Sequence, residues 1–403
     1  MRYNGGMNVF SKLYCRTAQA VFRLVLPFMP YRAPKLLDGF SEAAEIIRAH
    51  GNTRALIVTG KNVHGHGLLA PLSDALTAAD IGFEIFDGTP ANPTVSAIEE
   101  AVSLYRKGEC DCVIAVGGGS PMDCAKGVCA RIACPKKTVL QMKGVMKVKG
   151  KPPLLIAVPT TAGSGSEATV GAVVTDEKTH HKFTVLSFCL VPKYVILDPA
   201  LTRTLPPAPT AETGLDALTH AVEAYIGRAT NRKTRLLAEH AVRLIRENLL
   251  RAYEHGDDLE ARKNIQLAAY EAGLVITLSF VGYVHAVAHS IGGKYNGSHG
   301  RINAVLLPVV LRAYGKPCEK KLARLARKCG VSSQKNDAAA AQDFIRFCEE
   351  LNEKTDMPQG LEIDEADIPA LAETAAREAN PLYPVPKLMS AKELQKIYRA
   401  VKL

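Results

Sequence analysis

The residues of this chain whose types and spacing can do chemistry are His285, His289 and His299, with Asp216 and His220 upstream. In GYVHAVAHSIGGKYNGSHG, from Gly282 to Gly300, His285 and His289 are four apart and share one face of a helix, one turn above the other. Gly292 and Gly293 are expected to end that helix, so that a turn through Asn296 and Gly297 brings His299 back toward the pair. In GLDALTHAVEAY, Asp216 and His220 repeat the four-residue spacing. A lone helical histidine is usually packed or solvated. Two such pairs in small, apolar helices, with a third histidine in a Gly-rich turn, point instead to a divalent metal. One carboxylate and three imidazoles suit four-coordination, which leaves one histidine spare.

These residues need long helices to hold them, and the second half of the chain reads that way. Helical patterns run over 215–226, 234–252 and 262–274 with no convincing strand among them. The first half has a different rhythm. Apolar runs at 55–58, 83–86, 112–116, 154–158 and 194–197 read as strands, with helical stretches at 68–79 and 95–105 between them. Strands alternating with helices imply a parallel α/β sheet. The prolines at 199, 206, 207 and 209 mark the change. The expected organisation is therefore an α/β dinucleotide-binding domain over 1–206, with a helical extension over 1–37, and an all-helical domain over 207–403.

Two loops at strand ends are candidates for a nucleotide. The run at 112–116 enters Gly117, Gly118, Gly119, Ser120, Pro121, Met122 and Asp123. Glycine lets backbone approach a ligand, Ser120 suits an N-cap, Pro121 suits the first helical position, and the helix start offers N–H groups to phosphate. The spacing is not G-x-G-x-x-G, so this is no ordinary Rossmann fingerprint. The run at 154–158 leads to PTTAGSGSEAT, where Thr160, Thr161, Ser164 and Ser166 combine hydroxyls with glycine. Neighbouring loops of this kind suit one nucleotide lying across both. His64 and His66 read as part of a polar loop, and Cys110 and Cys112 as buried residues of a strand.

At 403 residues, 47% apolar and 22% charged, the chain has room for two cores. Its net charge of +10 comes from Lys and Arg mixed with acids along the sequence, and aromatic residues are scarce, which argues against nucleic acid. Ten cysteines without a C-x-x-C pair fit reduced thiols in a cytoplasmic protein. Residues 1–37 carry Arg2, Lys12, Arg16, Arg23, Arg32 and Lys35 and no acid, with apolar positions at helical spacing. Arg23, Pro27 and Pro30 interrupt them too soon to span a bilayer. The expectation is a helix packed on the protein, with membrane-surface contact the lesser alternative.

Together GGGSPMDCAKG (117–127), PTTAGSGSE (159–167), GLDALTHAVEAY (214–225) and GYVHAVAHSIGGKYNGSHGRINAVLLP (282–308) resemble the iron-dependent, or group III, alcohol dehydrogenase family over nearly the whole chain. The resemblance implies metal ligands at Asp216, His220, His285 and His299 and a proton-relay role for His289. It implies cofactor contacts at Asn92, Gly118, Gly119, Ser120, Asp123, Thr160, Thr161 and Lys182. It also implies a homodimer or larger homo-oligomer.

Many NAD-preferring members of that family carry an aspartate after the first strand, where this chain reads Val58-Thr59-Gly60-Lys61. With glycine at 60 and lysine beside it, a 2′-phosphate is not repelled, so NADP is expected to be usable alongside NAD. The expected activity is hydride transfer between a small primary alcohol or diol and NAD(P), with Fe²⁺, or alternatively Zn²⁺, polarising the oxygen. The alternatives are an NAD-using lyase or polyol or glycerol-phosphate dehydrogenase of the same fold, or a non-catalytic nucleotide-binding module.

Overall fold

A computed structural model describes residues 7–179 and 181–403, and its contacts divide the chain into two bodies. One spans Pro30–Thr204. The other joins Leu205–Leu403 to the N-terminal segment ending at Met29.

The first body holds β1 (Lys35–Leu37), α2 (Phe40–Ala49), β2 (Arg54–Val58), α3 (Lys61–Gly65), α4 (Ala70–Ala78), β3 (Gly82–Phe86), α5 (Val95–Lys107), β4 (Cys112–Gly117) and α6 (Gly119–Ala133), following the N-terminal helix α1 (Val9–Val25) of the other body. It continues with β5 (Gly144–Val145), β6 (Leu154–Pro159), β7 (Gly171–Asp176), β8 (His181–Leu186) and β9 (Tyr194–Ile196). The main sheet is ordered β1-β9-β6-β4-β2-β3, with every pair parallel. Leu56, Ile57 and Val58 of β2 and Val113 and Ile114 of β4 are fully buried, as continuous apolar runs in a parallel sheet require. Since the chain passes from β2 to β3 on one side and from β4 toward β6 on the other, the loops leaving β2 and β4 diverge at their carboxyl ends. That divergence is where open parallel sheets take ligands.

A smaller sheet, ordered β5-β8-β7, is built on an antiparallel β7–β8 hairpin. Neither this hairpin nor β1 is among the strands expected from the sequence. β7 alternates buried Ala172 and Val174 with exposed Val173, so only one face is apolar, and acids and lysines follow at once. Its signal is therefore short and weak.

The second body holds α7 (Pro207–Ile226), α8 (Arg232–Glu254), α9 (Leu259–Ser279), α10 (Tyr283–Tyr295), α11 (His299–Tyr314), α12 (Lys316–Lys328), α13 (Asp337–Lys354), α14 (Ile368–Ala379) and α15 (Ala391–Val401). Two expectations need correction. α10 runs through Gly292 and Gly293 for a further turn and stops at Asn296, whose φ of 54° is the left-handed cap. Glycine inside a helix costs only about 1 kcal/mol, and Asn tolerates positive φ better than most residues. The N-terminal segment also does not extend the α/β domain. Arg16 of α1 donates to the carbonyls of Val385 and Pro386 at 2.8 and 2.9 Å, Gln19 donates to that of Tyr383 at 2.7 Å, and Phe22 meets Phe280 edge-on. Those bonds tie α1 to the helical body, so the α/β body begins at Pro30 and ends at Thr204 rather than at 206.

Candidate metal centre and nucleotide platform

α7 carries alanines at 217, 221 and 224, all fully buried, and packs closely against α8, α9 and α11. That close packing takes Asp216 and His220, on one face of α7, out of water. α10 supplies buried His285, and His299 is the first residue of α11. Three imidazole nitrogens surround one carboxylate oxygen: Asp216 Oδ1 lies 3.9 Å from His220 Nε2, 3.8 Å from His285 Nε2 and 3.6 Å from His299 Nε2. Tetrahedral binding with bonds of roughly 2.1 Å sets donors roughly 3.4 Å apart. The distances to Asp216 are a few tenths of an ångström wider; the donor atoms of Asp216, His220 and His285 lie within 4.8 Å of one another, and His299, 42% exposed, must move in to join them.

Protonation favours the same reading. Burial first, and then the neighbouring imidazoles of His220, His299 and His289, hold the His285 pKa well below 6.5. His285 Nδ1 is 2.7 Å from Glu223 Oε2. A proton on Nδ1 donated to this carboxylate leaves the Nε2 lone pair facing the cluster. Asn303, fully buried, brings Nδ2 to 2.7 Å from Asp216 Oδ1, 3.0 Å from His299 Nε2 and 3.3 Å from His285 Nε2, so one small group already touches three of the four donors. Donor set, spacing and protonation fit one divalent ion.

Sequence reasoning missed Glu223 and Asn303. Glu223 follows His220 by three residues and Asn303 follows His299 by four, so helical spacing could have found both. Glu223 does two jobs, because it also accepts the Gly282 and Val284 N–H groups at 2.9 and 2.7 Å and so caps α10. Burial pushes its carboxyl up to about 7, although those N–H groups favour the anion.

His289 stands apart from the four. Its Nδ1 lies 2.6 Å from Glu378 Oε1, which also accepts the Tyr383 hydroxyl at 2.8 Å, and 43% of its side chain is open to solvent. Crowding by its surroundings disfavours the cation, but the Glu378 carboxylate outweighs it and the His289 pKa is raised. Glu378 and Tyr383 come from a segment with no motif.

The residues expected at a nucleotide lie in the α/β body, on loops that hydrogen bonds join into one platform. Gly60 caps α3 and bridges Gly88. Gly118 caps α6, so the helix starts at Gly119 with no side-chain cap, and the expected capping role of Ser120 is replaced by a hydrogen bond to the Ala91 carbonyl beside Asn92. Pro121 is accordingly the third helical residue. A Cβ on Gly118 would meet Thr161 Oγ1 at 3.1 Å, and one on Gly119 would meet Ser164 Oγ at 3.2 Å, so a larger residue at either position would have to push the facing loop back by a few tenths of an ångström. The Thr160 N–H bonds the Gly117 carbonyl at 3.0 Å. Thr175 links the Asn92 loop to Lys182: its N–H bonds the Pro93 carbonyl at 2.8 Å, and it faces Lys182 across the hairpin.

Asp123, expected to contact the cofactor, is otherwise engaged. Its Oδ1 accepts from Ser166 Oγ at 2.7 Å and its Oδ2 from the Val173 N–H at 2.9 Å. Fully buried Lys126 stands 4.0 Å away and bonds Ser166, Thr169 and Gly171. Burial draws the Lys126 pKa down to about 8. The pair fastens the hydroxyl-rich loop and β7 to α6, so Asp123 also positions the platform. His64 sits in the short α3 with Nδ1 2.7 Å from Asp87 Oδ2, a surface hydrogen bond. Cys110 and Cys112 are buried, as expected.

Residues 38–199 match the family described as iron-containing alcohol dehydrogenase, and residues 210–402 match the C-terminal part of the Fe-containing alcohol dehydrogenase family. The chain is 35% identical over 385 residues to the 1,3-propanediol dehydrogenase of Klebsiella pneumoniae, covering 94% of this chain and 98% of that one. It is 33% identical to the lactaldehyde reductase of Escherichia coli, with 82% and 87% covered, and 32% identical to the NADPH-dependent butanol dehydrogenase of Clostridium saccharobutylicum, with 77% and 80% covered. Its fold is similar to the crystal structure of 1,3-propanediol oxidoreductase, with a TM-score of 0.88 at 34% identity over 92% of this chain and 99% of that one. It is also similar to an iron-containing alcohol dehydrogenase of Thermotoga maritima, with a TM-score of 0.80 at 29% identity and 93% and 98% covered. With its metal donors and its sheet loops both accounted for, the chain belongs to the iron-containing alcohol dehydrogenase family, whose members are oxidoreductases acting on alcohols.

Proposed function

We propose that this protein interconverts a small primary alcohol or diol and its aldehyde, with NAD or NADP as hydride carrier and one Fe²⁺ held by Asp216, His220, His285 and His299. The observation that carries the reading is the convergence of three imidazole Nε2 atoms on Asp216 Oδ1. The names of the relatives, which act on propanediol, lactaldehyde and butanol, support the substrate class. Three imidazoles and a carboxylate suit Zn²⁺ comparably, and the preference for Fe²⁺ rests on the family.

When bound, the metal supplies Lewis-acid polarisation of the substrate oxygen and NAD(P) supplies the hydride acceptor. The chain's own residues do the rest. Glu223 keeps the proton on His285 Nδ1, so that Nε2 remains a donor. Asn303 holds the Asp216 carboxylate in place. His289, paired with Glu378 and open to solvent, takes the alcohol proton outward. The first N–H groups of α6, behind Gly118, receive the pyrophosphate, and Thr160, Thr161 and Asn92 bind the rest of the nucleotide. Lys182 adds a cation through the β7–β8 hairpin. Gly60 and Lys61 tolerate a 2′-phosphate, in keeping with one relative's named use of NADPH. The ten free thiols support a reducing compartment such as the cytoplasm, and the family resemblance supports a homodimer or larger assembly.

The test is cofactor reduction with short alcohols and diols after anaerobic loading with Fe²⁺ or Zn²⁺, offering NAD and NADP separately, beside the His285→Ala variant. Metal-dependent turnover absent from the variant is the expected result. Metal and nucleotide binding without turnover on any alcohol or aldehyde would overturn the reading.

A further inference from the structure

Helix α1 is turned inside out. A helix on a globular protein normally buries its apolar stripe and exposes its polar one. α1 buries Cys15 and Gln19 and docks through Arg16, Gln19 and Phe22, while Val9, Phe10, Leu13, Val21, Leu24 and Phe28 face solvent in and just after the helix. Phe10 is 82% exposed, Leu24 72% and Phe28 86%. At helical spacing these positions fall on one continuous side with Tyr14, Thr17 and Ala20, and no charge interrupts it. Lys12, Arg16 and Arg23 form one border of that side, and α1 contains no acid. Exposed apolar surface of this extent marks a contact site.

Arg23 is also part of a second feature. It lines a pocket of about 410 Å³ with Arg228, Thr230, Arg235 and Lys321. No acidic residue lines the pocket, and among the described residues none of its four cations forms an ion pair. The cations press on one another. Burial, followed by repulsion from Arg23, Arg228 and Arg235, draws the Lys321 pKa down to about 8, and its ammonium is held by the carbonyls of Ile226 and Gly227. Four uncompensated cations around one pocket are complementary to a phosphate.

The family match begins at residue 38, after α1. The apolar face of α1 lies before the first family match, whereas Arg228, Arg235 and Lys321 of the pocket lie within the matched C-terminal part. Among the described residues no single helix is long and apolar enough to cross a membrane, and α1, with 17 residues and three cations, does not span one. An apolar helix face beside a basic border and a cationic pocket roomy enough for a phosphate is the arrangement of a helix that lies in a lipid headgroup layer.

We propose that α1 anchors the enzyme to an anionic phospholipid surface, with its outer face in the boundary between headgroups and acyl chains and a lipid phosphate in the pocket of Arg23, Arg228, Arg235 and Lys321. The lipid surface explains why apolar side chains face outward where cations converge. A second copy of the chain would present the same unpaired cations to its mate.

The test is co-sedimentation of the full-length, metal-loaded enzyme with phosphatidylcholine vesicles, with and without phosphatidylserine, at low and raised salt. The comparison set is the Phe10→Glu/Leu24→Glu double variant and the single Arg23→Gln and Arg235→Gln variants, none of which touches the metal or nucleotide residues. The expected result is binding that needs phosphatidylserine and weakens with salt. The double variant should lose binding, and each arginine variant should lose roughly fivefold, with alcohol turnover retained as proof of folding. Failure to bind either vesicle overturns the proposal, as does equal binding to both. So does a shift of the double variant to a smaller species on size exclusion while neither protein binds vesicles, which would make the face an interface between copies. Saturable binding of inorganic phosphate by an enzyme that ignores vesicles would likewise make the pocket a site for a free anion.

Discussion

The two bodies of this protein solve a binding problem by opposite means. In the helical body the proposed chemistry resides in side chains: Asp216, His220, His285 and His299 would each contribute one donor atom, with Glu223 bonded to His285 and Asn303 to Asp216. In the α/β body it resides in backbone: Gly118 and Gly119 matter because they lack a side chain, and α6 offers N–H groups rather than a titratable residue. A donor atom must be of one chemical kind at one place, whereas a backbone platform only needs loops to stay close and open. Damage to the first site should therefore be severe and confined to metal, and damage to the second graded and confined to nucleotide.

The largest predicted effect comes from deleting a donor. His285→Ala should weaken metal binding by more than the roughly 100-fold that losing a supporting partner can cost, and abolish turnover. Nucleotide affinity measured by fluorescence should stay within about twofold of wild type, a change worth only ~0.4 kcal/mol. Next comes Glu223→Gln, which can still cap α10 but holds the His285 tautomer poorly. Metal affinity should fall roughly 10- to 100-fold by competition with a chelator, and the weakened cap and buried amide should cost about 1–3 kcal/mol in denaturant titration.

Gly118→Ala attacks the other site. Thr161 must give way by a few tenths of an ångström, so nucleotide affinity should drop roughly tenfold, about 1.4 kcal/mol, with the metal content of the purified protein unchanged. Loss of metal from this variant would break the separation. The smallest effect is expected from Gly60→Asp, which should disfavour NADP relative to NAD by roughly five- to tenfold in kcat/KM through repulsion of the 2′-phosphate.

The same contrast explains what could be read in advance. A metal site was visible in the sequence because Asp216/His220 and His285/His289 repeat a four-residue spacing in apolar helices with His299 nearby, while the choice of four donors among these five came from the family resemblance. The alternation of strands and helices was legible because buried parallel strands are continuous apolar runs, as in ALIV at 55–58. Glu223 stood one turn from a recognised ligand and needed only the question of what orients His285. Glu378 lies 89 residues from His289, so no local pattern connects them. The bonds of Asp123 to Ser166 and Val173 were hidden for the opposite reason: it sits in a recognisable motif, but its partners there are a tertiary fact. The glycines of α10 misled because glycine permits a helix end without compelling one, and the buried flank of Ser290 and Ile291 kept the helix going.

The most direct test of the account is a pair of titrations on His285→Ala, one with Co²⁺ followed in the visible spectrum and one with NADP followed by fluorescence. The account predicts that the wild type shows a four-coordinate Co²⁺ absorption, and that the variant lacks it and binds NADP with unaltered affinity. An unchanged Co²⁺ spectrum would contradict the assignment of the metal centre, and joint loss of metal and nucleotide binding in a folded variant would contradict the separation of the two sites.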